Sequence, residues 1–170
     1  MRLSRQNRKP NMSRWFRVAH LQYKPLVKVG DYVTPKTIIG HCGSTGQSTG
    51  PHVHLDGTNA KPVSVHQYKS RPIKEYFDTE PWAKNVLPYK ARFYTNRHGI
   101  KGHIGVDVNV APQDLGLPVY SPCYGRVQYV EPSISFYRFV QGIKKLVDRT
   151  WGGGFGNFVW IEKDESKKDV

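Results

Sequence analysis

Along most of this chain hydrophobic and polar positions follow a two-residue beat, the signature of strands with one buried face. RWFRVAHL (14–21) reads as a strand, and PLVKVGDYVTPKTIIGHC (25–42) as two short strands around turn residues. GSTGQSTGP (43–51) is a loop of glycines and Ser-Thr pairs, and HVHLD (52–56) a strand. The β pattern resumes at 91. In HIGVDVNV (103–110), Ile104, Val106, Val108 and Val110 alternate with His103, Gly105, Asp107 and Asn109. LPVYSPCYGRVQYV (117–130) is a strand pair around Pro122 and Gly125. GGGFGN (152–157) is a tight turn region and FVWIEK (158–163) a last strand.

One segment keeps a helical beat instead. Phe136, Phe139, Val140, Ile143, Leu146 and Val147 fall at helical spacing, which predicts an amphipathic helix over about 133–150. The pattern is therefore that of a mainly β domain, an antiparallel sheet or sandwich carrying one helix. Residues 58–90, with Pro62, Pro72, Pro81 and Pro88 amid scattered charge, read as a connector. Residues 1–14 form a basic tail and 164–170 a polar one, leaving a single domain over 15–165.

Composition adds little to this picture, but charge adds more. With 26 basic and 13 acidic residues the net charge is +13, which favours an anionic partner: nucleic acid, a membrane surface or an acidic cell-wall polymer. Cys42 and Cys123 are too few for a disulfide framework and read as small buried residues. No apolar run reaches the length of a membrane span. The stretch MRLSRQNRKPNMSR lacks the apolar segment of a secretory signal, so delivery outside the cytoplasm would need another agent.

The candidate chemistry lies on two strands. His52 and His54 share one strand face; His103 and Asp107 share another. Imidazole and carboxylate are ligands that zinc accepts, and three protein ligands, for example His54, His103 and Asp107, leave a position open for water. Four extended residues span about 13 Å, so His103 and Asp107 can share an ion only if the strand bends between them, and Gly105 lies where a bend is easiest.

GSTGQSTGPHVHLD closely resembles the G-S-T-G-x-S-T-G-P-H-x-H-F-E segment of the lysostaphin/LytM-type zinc metallopeptidases. VAHL resembles their Y-A-H-L, and VKVGDYVTPKTIIG their V-K-x-G-D-x-V-x-x-G-Q-x-I-G. HIGVDVNVAPQDLGLPVYSPCYGRVQYVE is similar to H-x-G-x-D-I-x-A-P-x-G-T-P-V-x-A-x-x-x-G-x-V, and GGGFGNFVWIEK to G-G-Y-G-N-x-V-x-I. The order differs. The family places H-x-x-x-D before H-x-H, whereas here H-x-H comes first. A circular permutation accounts for this: residues 15–57 correspond to the family's C-terminal half, 58–90 connect, and 91–163 correspond to its N-terminal half.

The resemblance implies an antiparallel fold of the duplicated hybrid motif type with a metal cleft. It implies Zn²⁺ on His54, His103 and Asp107, with His20 and His52 as the catalytic residues beside the open position. It further implies an endopeptidase that cuts peptide cross-links of bacterial peptidoglycan; the +13 charge fits an anionic cell envelope, and a monomer is expected. A small basic hydrolase of this kind looks like a phage endolysin, released by a lysis partner or carried on a virion. Leu55 and Asp56 stand where the family has Phe and Glu, and Val18 stands where it has Tyr. The competing reading is a catalytically inactive relative serving as a wall-binding or activating module, against which the complete ligand set counts. A phosphohistidine carrier would need no Asp107 ligand, and a specific nucleic-acid binder would need a recognition motif that the sequence lacks.

Overall fold

The apolar beat of residues 15–21 is interrupted by a single charge, Arg17. In the computed structural model this segment is strand β1 (Trp15–Leu21), buried along its whole length. The structure describes residues 14–48, 50–58, 61–62, 64, 86, 92–95, 106–110, 115–131 and 154–167. The helix expected over about 133–150, most of the connector, residues 1–13 and 168–170 of the two tails, and His66, His98 and His103 lie outside the described residues. Among the described residues there is no α-helix, and no helix is long and apolar enough to cross a membrane.

The remaining strands are β2 (Tyr32–Val33), β3 (Ile38–His41), β4 (Val53–Thr58), β5 (Arg92–Thr95), β6 (Val106–Val110), β7 (Pro118–Tyr120), β8 (Gly125–Val130) and β9 (Asn157–Lys163). Seven form one antiparallel sheet in the order β2-β8-β9-β1-β4-β6-β5, and β3 pairs with β7 in a second, two-stranded sheet. The expected mainly β, antiparallel class is what the chain adopts. β1 is the middle strand of the large sheet, which is why it is buried on both faces and reads as a continuous apolar run.

The alternation sorts side chains onto two faces. Phe16, Val18, Val53, Leu55, Val108, Val159 and Ile161 enter the larger core cluster, together with Ile39, Val119 and Cys42. Trp15, Ala19, Phe158 and Trp160 form a second cluster on the other face, closed by Phe155 from the turn before β9. Cys42 and Cys123 are both buried and form no disulfide. His54 and Asp56 alternate with Val53 and Leu55 on β4, and Asp107 precedes Val108 on β6. The chemistry thus shares the second face with the aromatic cluster.

Candidate active site

Sheet register builds the site from three neighbouring strands. Ala19 of β1 pairs with His54 of β4, and His54 pairs with Asp107 of β6. Cross-strand partners have adjacent side chains, so residues 54 and 107, far apart in sequence, meet by pairing alone. His54 Nδ1 lies 3.2 Å from Asp107 Oδ1. His52, just ahead of β4 on the same beat, brings its Nε2 to 3.4 Å from the same oxygen.

His20 reaches the site by a different route. Strict alternation along β1 would send it into the core with Phe16 and Val18. Instead the β1–β9 register shifts between Val18 and Leu21, and His20 adopts a left-handed backbone with φ of 63°. A bulge of this kind re-aims one side chain. The His20 ring stands 4.8 Å from that of His52 and 5.7 Å from that of His54, centroid to centroid. Its amide leaves the ladder pattern and donates to Phe155 O at 2.9 Å.

The 43–50 loop fixes the chemistry of two of these rings. His20 Nδ1 lies 2.7 Å from Thr45 O, and His52 Nδ1 lies 2.8 Å from Gly50 O. A carbonyl only accepts, so both Nδ1 atoms carry hydrogens and the Nε2 lone pairs are left for the site. The loop is itself anchored: Thr45 Oγ1 donates to Leu21 O at 2.6 Å and accepts from Asn157 N at 3.0 Å. The amides of Gln47 and Ser48 are engaged within the protein, by Gly154 O and Gly46 O. The loop therefore offers carbonyls to the histidines.

Electrostatics separates the histidines. Burial lowers the His20 pKa to about 3, reinforced by His54 and His52, and keeps the ring neutral near neutrality. Burial also works against charge on His54, but hydrogen bonds to Asp107 and Asp56 outweigh it and raise its pKa to about 9. In the metal-free protein His54 is therefore a cation between two carboxylates.

His54 Nδ1 and His52 Nε2 converge on Asp107 Oδ1, at 3.2 and 3.4 Å. Donors on a tetrahedral zinc with bonds of about 2.0–2.1 Å lie about 3.4 Å apart, so the 3.2 Å between His54 Nδ1 and Asp107 Oδ1 suits two ligands of that ion in type and spacing. Among the described residues no three such side chains complete a metal cage, and the third expected ligand, His103, lies outside them. His41, at the end of β3, is not part of the cluster.

Two participants escaped the sequence reading. Asp56 Oδ2 lies 2.6 Å from His54 Nε2, and Arg17 grips Asp56 through Nε and Nη2, each at 3.0 Å. Both are fully buried. The signals were present: Asp56 continues the beat of His52 and His54, and Arg17 is the lone charge in an apolar strand.

Residues 10–65, about a third of the chain, match the sequence model of peptidase family M23. The matched stretch holds β1 to β4 with His20, His52 and His54, and it supports the LytM-type peptidase relationship. No match was found among curated proteins or among solved structures.

Proposed function

We propose that this chain, a relative of the M23 peptidases through residues 10–65, is a zinc-dependent endopeptidase acting on the peptide cross-links of bacterial peptidoglycan. The observation that carries the reading is the convergence of His52 Nε2, His54 Nδ1 and Asp107 Oδ1, with the neutral ring of His20 beside them.

His54 and Asp107 hold the ion, joined by His103 in the arrangement that the family resemblance implies. Zinc, when bound, polarises the scissile carbonyl and supplies hydroxide near neutral pH. The protein's own groups do the rest. His20 and His52 each present a lone pair on Nε2, because loop carbonyls hold the proton on Nδ1. One of the two takes the proton of the attacking water and passes it to the leaving amine; the other, protonated from solvent, donates to the oxygen that gains charge. Burial keeps His20 neutral across the working range, so its Nε2 can accept a hydrogen bond from the water, while a pKa of about 3 makes it a weak base. The +13 charge suits adsorption to an anionic wall. We place the activity in cell lysis, endolysin-like, with a partner or a virion delivering the enzyme.

The permuted order belongs to the same proposal. Lys163 N donates to Arg14 O at 2.8 Å, and Arg14 pairs with Glu162 at 2.6 Å. The outer ends of the adjacent strands β1 and β9 thus meet, where the family has a hairpin.

The test is zinc content together with release of cross-link peptides from purified peptidoglycan. His54→Ala, Asp107→Ala and His103→Ala are expected to lose both zinc and cleavage. His20→Ala and His52→Ala are expected to keep zinc and lose cleavage by about 10²-fold or more. A wild-type protein without zinc, or His54→Ala with undiminished cleavage, refutes the reading.

A further inference from the structure

We propose that Arg17 and Asp56 are a buried positioning pair that holds His54 with Nδ1 turned to the metal site, and thereby set how tightly the site keeps zinc. The inference rests on the zinc-site reading above and adds to it two residues that never touch the ion.

The geometry is a chain of charge-assisted hydrogen bonds. Arg17 Nε donates to Asp56 Oδ2 and Arg17 Nη2 to Oδ1, both at 3.0 Å. Oδ2 also faces His54 Nε2 at 2.6 Å. Held by the guanidinium, the carboxylate can only accept, so the Nε2 of His54 carries a hydrogen. The other nitrogen, Nδ1, then faces Asp107. When Nδ1 gives up its hydrogen to make room for the ion, Asp56 keeps the remaining one on Nε2; without Asp56 that hydrogen would sit on Nδ1, where Asp107 accepts it, and would occupy the position the ion needs.

A second observation argues against mere packing. Both members are fully buried. Taking such a pair out of water is costly, and apolar side chains of similar volume are often as stable or more so. The guanidinium carbon lies 3.4 Å from the centroid of Phe155 and 4.7 Å from that of Trp160. A chain that needed only a filled core would place an aliphatic residue here. The stacking holds the guanidinium plane, and through it Asp56 and His54, in one orientation. Carboxylate partners of this type tune metal affinity by about 10–100-fold in general.

The experiment compares the full-length chain and its variants by zinc binding against a competing chelator, by the absorption spectrum with Co²⁺ in place of zinc, and by urea unfolding without metal. Arg17→Met/Asp56→Leu is expected to fold and to bind zinc about 10–100-fold more weakly, with a shifted Co²⁺ spectrum. Arg17→Lys, which keeps the charge and loses the fork, is expected to lose less. Should the double variant not fold, Asp56→Asn decides by the same zinc and Co²⁺ readings. Wild-type zinc affinity and an unchanged Co²⁺ spectrum in a folded variant that lacks the Asp56 carboxylate overturn the proposal. His54→Ala distinguishes the two levels: if it binds zinc as the wild type does, the site reading itself falls, and the positioning pair with it.

Discussion

At the scale of single residues, the site depends on where three protons sit. His20 and His52 hold theirs on Nδ1 against loop carbonyls, and His54 holds one on Nε2 against Asp56. The same environments make stability depend on pH in opposite senses. His54, raised to about 9, contributes stability that is complete below the unfolded value of 6.5 and is lost as pH rises through 9. His20, lowered to about 3, resists a proton that the unfolded chain accepts near 6.5, so stability falls as pH drops from there toward 3. Asp56, held below the usual carboxylate range against the effect of burial, chiefly by Arg17, adds to the loss at the acid end. Metal-free protein is therefore expected to be most stable near pH 6–7, with losses on the order of a few kcal/mol on each side. Urea midpoints from pH 4 to 9 on chelator-treated protein check this; a midpoint that rises from 6.5 to 9 contradicts it. Zinc should stabilise more at pH 9 than at pH 6, because at the lower pH it competes with the proton on His54.

At the scale of elements, the decisive contact is between the 43–50 loop and the turn ahead of β9. Gly46, with φ of 76°, packs against that turn so closely that a Cβ would stand 2.3 Å from Gly156 N and 2.6 Å from Gly154 O. Backbone on both sides cannot give way. Gly46→Ala is expected to destabilise the fold by about 2 kcal/mol or more. It should also move the Thr45 carbonyl off His20, so that cleavage falls beyond what the lost stability explains. Gly50→Ala, where a Cβ meets nothing within 4 Å, should stay within about 0.5 kcal/mol of wild type. Thermal or urea unfolding beside a cleavage assay separates the two. Equal effects from both substitutions would mean that the loop does not brace the histidines. The sequence announces this loop by composition, but its apposition to GGGFGN joins segments about a hundred residues apart and has no local signal.

At the scale of the whole molecule, the sheet order is compatible with the permuted order proposed above. The three strands carrying His20, His54 and Asp107 lie side by side as β1-β4-β6. The start of β1 and the end of β9 meet at the end of that pair away from the cluster. Pairing, and with it the site, is then indifferent to which loop is open. A chain with Lys163 joined to Arg14 through a short loop, and opened within residues 65–85, is expected to fold to within about 1–2 kcal/mol of the original and to retain cleavage. Failure of that chain to fold, measured by circular dichroism and unfolding, would remove the permutation account while leaving the site chemistry in place.

The sequence by itself determined the β class, because alternation of apolar and polar residues is a local property, and it marked His52, His54 and Asp107, because same-face spacing on a strand is local too. It also carried the family resemblance, through runs of consecutive residues. Tertiary structure alone decided that His20 leaves the core face, since a bulge arises from β1 pairing unevenly with β9 and not from WFRVAHL itself. It alone decided the tautomers, since Thr45 O and Gly50 O act through folded geometry. And it alone joined Arg17 to Asp56 and Asp56 to His54, because a buried charge finds its partner across strands, at a distance that no window of sequence spans.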